Sequence, residues 1–189
     1  MNRGRQAFEK LLAEYEFSTV LDIGSGGGQH AAAFRAAGKT VMTVSLGGGA
    51  DFVGRYEDTQ LPHKFDCLWC CHVLEHQPNV NQFLRKMHDD LKPGGILAIT
   101  VPPLKHSIVG GHLTLWNAGL LLYNLAAAGF NCRDARVKSA GYDVSVIVRH
   151  ESFAVPRMRC DAGDIDTLAP YLPRGCGERF DGRIEELNW

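Results

Sequence analysis

The chain has 189 residues, of which 45% are hydrophobic and 22% charged, and its formal net charge is −1. This length and composition are enough to bury one substantial core in a single domain. The near-neutral charge excludes the basic surface typical of nucleic-acid-binding proteins, and no apolar run reaches the ~18 residues of a membrane span. We therefore expect a cytoplasmic protein without a nucleic-acid or membrane partner.

The first half of the chain predicts alternating helices and strands. The pattern gives a helix over 5–16, a strand over 17–23, a glycine-rich turn, a helix over 28–37 and a strand over 40–46. The next extended stretch, 51–54, follows after only four residues, whereas a parallel crossover needs about a dozen. The usual helix between strands two and three cannot fit. Either strand three is missing or displaced, or 47–54 is a loop around the sheet edge.

The second half continues the alternation. The predicted elements are a strand over 65–71, a helix from near Pro78 to Leu91, a strand over 96–101, a loop over 102–113, a helix from Trp116 or Asn117 to Ala128, and strands over 131–138 and 142–149. This order predicts a doubly wound, mostly parallel, seven-stranded α/β sheet over 1–150. Residues 151–189 hold one helical candidate, 164–171, and form a tail that packs on the domain, lies at an oligomer contact or is flexible.

The glycine-rich turn after the first strand is typical of a nucleotide-type site. Asp-x-Gly-x-Gly-x-Gly is filled at Asp22, Gly24, Gly26 and Gly28. Glycine allows positive φ and lets a ligand lie directly on the main chain, where the N–H groups of the next helix point at it. The dinucleotide fingerprint fails at Gln29 when counted from Gly24, and counted from Gly26 it is met only in its weaker form. A purely structural turn is the alternative.

Four segments together resemble the class I S-adenosylmethionine (SAM)-dependent methyltransferases. They are Val20–Gly28, Phe65 through Val73-Leu74-Glu75-His76, Leu91–Gly95, and Ala128-Gly129-Phe130. The resemblance is to the group in which Val-Leu-Glu-His follows strand four, and it implies a Rossmann-like sheet with SAM as cofactor. It assigns cofactor binding to the following residues: Asp22, Gly24, Ser25, Gly26, Gly28, Gln29, Ser45, Leu46, Tyr56, Cys71 and His72.

Two positions depart from the family pattern. The acid that binds the ribose hydroxyls at the end of strand two is replaced by Ser45, and the acid expected near the adenine is replaced by Arg55. A hydroxyl does not replace a charge-assisted pair of hydrogen bonds, so cofactor affinity is expected to be lower by ~1–3 kcal/mol unless another residue compensates. Tyr56, Glu57 and Asp58 are the candidates for that role.

Four histidines are expected at the edge of the sheet where ligands of doubly wound folds bind. His72 and His76 follow strand four, and His106 and His112 lie in the loop after strand five. Histidine is suited to remove a proton near neutrality. His112 is the first candidate for a general base because two glycines precede it in a loop that can close. His106 and His72 are the next candidates. A structural role is the alternative for each, and the first expectation for His76.

Two motifs suggest metals, but we expect no metal site. His72-x-x-Glu75-His76 matches an inverted zinc-peptidase motif, yet it starts directly after a strand and Pro78 soon interrupts it. Cys67-x-x-Cys70 falls on a predicted strand, where residues three apart point to opposite faces. Both cysteines are therefore interpreted as buried apolar side chains.

The sequence as a whole predicts an O-methyltransferase. The stretch from His112 to Asn117 resembles bacterial methyltransferases of surface-polysaccharide pathways. The expected acceptor is a hydroxyl of a small molecule or glycan precursor, and a homodimer is one arrangement considered. A degenerate SAM-binding module that serves as a non-catalytic partner subunit is the alternative, motivated by Ser45 and Arg55.

Overall fold

A computed structural model describes residues 3–177 and 180–189 as one layered α/β domain. The helices and strands are α1 (Arg5–Glu14), β1 (Thr19–Ile23), α2 (Gln29–Ala36), β2 (Thr40–Ser45), β3 (Phe52–Val53), β4 (Phe65–Cys71), α3 (Val80–Asp90), β5 (Leu91–Val101), α4 (Ala118–Ala127), β6 (Arg136–Ala140), β7 (Asp143–Arg149), α5 (Asp164–Leu168) and β8 (Glu186–Leu187). Short 3₁₀ turns lie at Tyr56–Asp58, Leu74–His76 and Ala169–Tyr171. Within this described part of the chain, no helix is long and apolar enough to cross a bilayer.

The sheet confirms the doubly wound α/β prediction. Its strand order is β3-β2-β1-β4-β5-β7-β6-β8, with parallel pairing from β3 through β5 and antiparallel pairing of β7 with β5 and β6. The predicted seven strands are present, and β8 adds an eighth at the edge of β6. The order reverses between β1 and β4, which places the carboxyl ends of these two strands at the usual ligand-binding position of such sheets.

The core lies on both faces of the sheet. Phe34 on α2 and Trp69 on β4 are fully buried on one face, and Leu68 on β4 and Phe83 on α3 on the other. Cys67 belongs to the first of these clusters and Cys70 to the second. The interpretation of Cys67 and Cys70 as buried side chains on opposite faces is confirmed, and burial raises the pKa of both thiols.

The crossover between β2 and β3 contains no helix. The chain turns back within residues 46–51, and the Asp51 carboxylate accepts hydrogen bonds from both the backbone N–H and the hydroxyl of Thr43, each 2.8 Å long. Strand three then pairs in parallel with β2 over two residues only. Such a short pairing needs much less chain than a full βαβ unit. The prediction that the helix is absent is confirmed. Residues 51–54, for which a missing or displaced strand and a loop were the alternatives, contain a two-residue strand.

The C-terminal segment packs on the domain. Leu168, Leu172 and Cys176 are buried in the main core, and the N–H of Cys132 donates to the Tyr171 carbonyl at 2.8 Å. The antiparallel pairing of β8 with β6 then ties residues near the C-terminus to the sheet. The helical candidate 164–171 forms as α5 followed by a 3₁₀ turn.

Candidate functional site

A cleft of ≈ 250 Å³ lies at the carboxyl ends of β1, β2 and β4. Six of the residues predicted to bind the cofactor line it, namely Gly24, Gly26, Ser45, Leu46, Tyr56 and His72. They come from four separate parts of the chain and meet because the parallel strands end at the same edge. We call this space the cofactor cleft.

The glycine-rich loop that forms the floor of the cofactor cleft needs glycine for steric reasons. Gly24 has φ of 74°, and a Cβ atom on it would lie 2.2 Å from Cγ2 of Val73. Its N–H donates to the Val44 carbonyl at 2.8 Å, which fixes the loop to the end of β2. Gly28, with φ of 74°, precedes the first turn of α2. The motif therefore follows from backbone geometry as well as from ligand access.

Five other predicted cofactor residues lie beside the cofactor cleft rather than in its wall. Ser25 is buried within the loop, and Gly28 and Gln29 form the junction with α2. Cys71 ends β4 and packs near the aromatic cluster around Trp69. Cofactor contact by these four, by Asp22 and by the six residues in the wall stays a prediction.

Asp22 is a buried carboxylate without a full set of partners. It is 2% exposed on β1, and its Oδ2 atom has no hydrogen-bond partner among the described residues. Burial raises the pKa of Asp22 to about 7, while the backbone N–H of Ala31 and the charge of Arg35 act in the opposite direction. A carboxylate held in this state is poised to bind a cationic group that enters the cofactor cleft.

The two departures from the family pattern, Ser45 and Arg55, both lie in the wall of the cofactor cleft. Ser45 is buried, and its hydroxyl accepts a hydrogen bond from the N–H of Gly47 at 3.3 Å. Arg55 forms an ion pair with Glu57 at 2.8 Å, and both line the wall. Tyr56 presents its ring to the cleft but donates its hydroxyl hydrogen to Asp90, at 2.5 Å. Of the three replacement candidates, Glu57 is therefore the acid that lies in the wall.

Ser45→Asp is expected to tighten SAM binding by up to ~2 kcal/mol, or roughly 30-fold in Kd, through charge-assisted hydrogen bonds to the ribose. Calorimetric titration with SAM measures the change, and Ser45→Ala serves as the matched variant that removes the hydroxyl without adding charge. Weaker binding by the aspartate variant would mean that the ribose is held in another way, for example by the 47–49 loop.

His72 is held between two carboxylates. Its backbone has φ of 57°, its Nε2–H donates to Asp143 at 2.8 Å, and its Nδ1 lies 3.4 Å from Glu75 Oε1. Burial alone would lower the pKa of His72, but the facing carboxylates outweigh burial and raise it. Since both ring nitrogens face carboxylates and the pKa is raised, this geometry suits an anchoring role better than proton removal.

A second cavity of ≈ 180 Å³ lies under the loop that follows β5. Its wall includes His112, Trp116 and Tyr142 together with several apolar residues of the loop. The loop is docked on the Leu74–His76 turn, because the N–H of Leu113 donates to the Glu75 carbonyl at 2.7 Å. We call this space the acceptor cavity.

Gly111 makes that docking possible. The Nδ1–H of His76 donates to the Gly111 carbonyl at 2.8 Å, and a Cβ atom at Gly111, where φ is 81°, would lie 3.2 Å from Nδ1. Gly111 therefore serves close approach to His76 as well as flexibility.

Two pairs of neighbouring rings, one edge-to-face and one stacked, separate the cofactor cleft from the acceptor cavity. His76 lines the cleft and His112 lines the cavity, with their ring centroids 5.1 Å apart. In the same way, His72 lines the cleft and Tyr142 lines the cavity, with their centroids 5.8 Å apart. His106 is exposed on the loop and outside the cavity wall. At these two places the spaces are thus separated by a pair of side chains in contact.

A family model described as "Methyltransferase domain" matches residues 3–135, well over half of the chain. The chain belongs to this methyltransferase family. The resemblance to class I SAM-dependent methyltransferases is thereby confirmed, and so is the Rossmann-like sheet implied by it.

Individual relatives agree with this assignment. A ubiquinone biosynthesis O-methyltransferase of Pseudomonas syringae pv. tomato is 29% identical over 94 residues, which is 40% of either chain. A trans-aconitate 2-methyltransferase of Deinococcus radiodurans is 25% identical over 50% of this chain and 42% of its own. The chain thus matches less than half the length of these curated relatives.

Among solved structures, a Burkholderia thailandensis 1,6-didemethyltoxoflavin-N1-methyltransferase with bound S-adenosylhomocysteine superposes with a TM-score of 0.64. It is 22% identical to this chain and covers 77% of it, and 76% of the toxoflavin enzyme is matched. At 22% identity, this similarity shows a shared fold and nothing further.

Several residues of the cofactor cleft were not predicted as site residues. Val73 and Gln77 flank the Leu74–His76 turn, and Phe83 reaches the wall from α3. The sequence carried a signal for the first two, because they border the Val-Leu-Glu-His motif. Phe83 has the helical spacing of an ordinary core residue, so the sequence alone did not distinguish it.

Glu75, His76 and His112 bring ligand atoms within 4.8 Å of one another, and among the described residues they form the one such group able to hold a metal ion. Glu75 is 1% exposed, and its carboxylate oxygens make no hydrogen bond among the described residues, although Oε1 lies 3.4 Å from His72 Nδ1. One carboxylate and two imidazoles are a donor set that suits zinc and similar cations. No metal site was expected from the sequence. His112 is distant along the chain from Glu75 and His76, and only the docked loop brings the three residues together.

Proposed function

We propose that this protein transfers the methyl group of SAM to a hydroxyl group of a small molecule held in the acceptor cavity. The observation that carries the proposal is the thin shared wall between the two spaces. A methyl donor in the cofactor cleft and an acceptor in the cavity are there separated only by pairs of side chains in contact, so a small displacement of these side chains would bring the reacting atoms together. Methyl transfer needs this in-line alignment more than any other contribution from the protein.

In this proposal the cofactor lies on the main chain of Gly24 and Gly26. The carboxylate of Asp22 attracts the ammonium group of the methionine end, and Ser45 and Glu57 face the ribose and adenine. The hydroxyl acceptor must lose a proton as the methyl group arrives. We assign that proton to His112, because it lines the acceptor cavity beside the cofactor cleft, whereas His106 is outside the wall and both nitrogens of His72 are engaged.

The comparisons support the chemistry in part. The Pseudomonas syringae relative is named as an O-methyltransferase, whereas the Burkholderia thailandensis structure is an N-methyltransferase. An oxygen acceptor is preferred here because a histidine base fits a hydroxyl that must be deprotonated. A glycan precursor in surface-polysaccharide biosynthesis, in the cytoplasm, remains the sequence-based proposal for the pathway.

Two measurements test the proposal. Calorimetric titration of the purified chain with SAM is expected to give saturable binding, and incubation with methyl-labelled SAM and a panel of hydroxylated small molecules and nucleotide sugars is expected to label an acceptor. Absence of heat at millimolar SAM would favour the degenerate, non-catalytic module. Binding with transfer only to amines would replace the hydroxyl by a nitrogen acceptor.

A further inference from the structure

The charge distribution around Tyr142 points to an anionic acceptor, whose negative group lies against Lys105 and whose apolar body fills the acceptor cavity. We infer this from the cavity wall and its surroundings, and the inference rests on the proposed function because it concerns the acceptor of the same site. It adds the chemical class of the substrate, an apolar or aromatic carboxylate or a similar anion, and it makes Lys105 a specificity-determining residue.

Cationic groups converge on the ring of Tyr142. The Nζ atom of Lys105 lies 4.2 Å from the ring centroid, and the guanidinium carbon of Arg3 lies 4.0 Å from it. The imidazole of His72 stacks on the same ring with an interplanar angle of 4°. A tyrosine ring stabilises nearby cations through its quadrupole but does not neutralise their charge.

Lys105 has no acid beside it in the described wall of the cavity, whereas Arg3 interacts electrostatically with Asp143. Asp143 accepts from His72 Nε2 with one carboxylate oxygen and from the Gly4 N–H with the other, both at 2.8 Å. Within residues 3–177 and 180–189, no carboxylate lies within 4 Å of the Lys105 ammonium or the Arg3 guanidinium. The positive charge of Lys105 therefore faces a cavity whose described wall contains no acid.

The rest of the acceptor cavity is suited to an apolar body. Buried Trp116 and partly buried Val109 form part of its wall. The same loop exposes Ile108 to 93% and Leu113 to 63% at the cavity. An uncharged, strongly hydrated acceptor would leave these apolar side chains poorly covered, whereas an apolar anion matches both the wall and the charge.

A pair of probes of equal shape tests the inference. Binding of 2-naphthoate and of uncharged 2-naphthamide to the full chain is measured by calorimetry, with and without S-adenosylhomocysteine. The wild-type chain is expected to bind the naphthoate at least ~10-fold more tightly, as a charge-assisted contact implies. Lys105→Met should remove this preference and leave naphthamide binding within about twofold, because the methylene stem is kept. Lys105→Arg should retain it, and so should Lys64→Met, which removes an exposed lysine before β4.

The inference would be overturned if the naphthamide bound as tightly as the naphthoate or if the preference survived in Lys105→Met. It would also be overturned if neither probe bound at millimolar concentration. A melting-temperature measurement excludes unfolding of the variants, and Lys105→Gln provides a second neutral side chain. Since the probes need no methyl transfer, the outcome is separable from the proposed function. If titration with SAM showed no binding but the preference for naphthoate persisted, only the proposed transfer reaction would be contradicted.

Discussion

His112→Ala should lower turnover by ~10²–10⁴-fold, the usual effect of removing a general base, while SAM affinity and melting temperature stay unchanged. The imidazole is half-buried in the wall of the acceptor cavity, next to His76 of the cofactor cleft, so its loss removes a proton acceptor without opening the core. Initial rates under saturating SAM, measured from pH 5 to 9, are the readout.

His106→Ala is the matched control, because His106 lies exposed on the same loop and outside the cavity wall. It should retain turnover within a few-fold. If the His112 variant also retained its turnover, His106 and His72 would be the next residues to test. Chelation with EDTA separates proton removal from metal binding: a base needs no metal, whereas loss of activity with recovery on added zinc would assign His112, together with Glu75 and His76, as a metal ligand.

Asp22→Asn should abolish measurable SAM binding and yet stabilise the unliganded protein above pH 7. The variant keeps the shape of the side chain but lacks the negative charge that we propose attracts the cofactor ammonium. The same charge is costly in the unliganded protein, because Asp22 is 2% exposed and Oδ2 has no partner among the described residues. Calorimetry with SAM and thermal unfolding of both proteins between pH 5 and 8 measure the two effects.

The direction of the pH effect follows from the raised pKa of Asp22. Because burial raises its pKa from 3.8 to about 7, the folded protein binds more protons than the unfolded chain between these pH values. The stability contributed by protonated Asp22 is present below pH ~4 and is lost as pH rises through about 7. SAM affinity of the wild type should increase over the upper part of this window, since binding requires the carboxylate.

Asp58→Asn provides the control, because Asp58 is exposed and lies outside the wall of the cofactor cleft. It should keep both the affinity for SAM and the pH dependence of the wild type. Unchanged SAM affinity in Asp22→Asn would remove the basis for placing the methionine end of the cofactor at β1.

The elements that the sequence predicted well are those fixed by local patterning. The apolar run ending at Cys71, the glycines after Asp22 and the stop signal at Gly129 each act through neighbouring residues, and the structure has β4, the turn before α2 and the end of α4 in those places. The boundaries of an element differ from the predicted ones where pairing with a distant strand determines them. Strand five begins at Leu91 rather than Ile96, because Leu91 pairs with Phe65 across an irregularity in the ladder.

The properties that escaped the sequence depend on residues far apart in the chain. His72 was one of three candidate bases, but its partner Asp143 lies 71 residues away, and their contact changes what the imidazole is suited for. Tyr142 was seen only as part of a strand, although its ring lies between His72 and Lys105. Periodicity and local motifs carry no information on such pairings.

The missing helix between β2 and β3 has a kinetic consequence for the cofactor. Leu46, 77% exposed, stands in the cleft wall there, and Val53, which pairs with Ser45, is 64% exposed, so this end of the cleft faces solvent across a glycine loop. Spent cofactor can leave from this end while the loop that covers the acceptor stays docked on Glu75 and His76. We therefore expect exchange of cofactor to be fast compared with chemistry, so that successive turnovers proceed without opening the acceptor side.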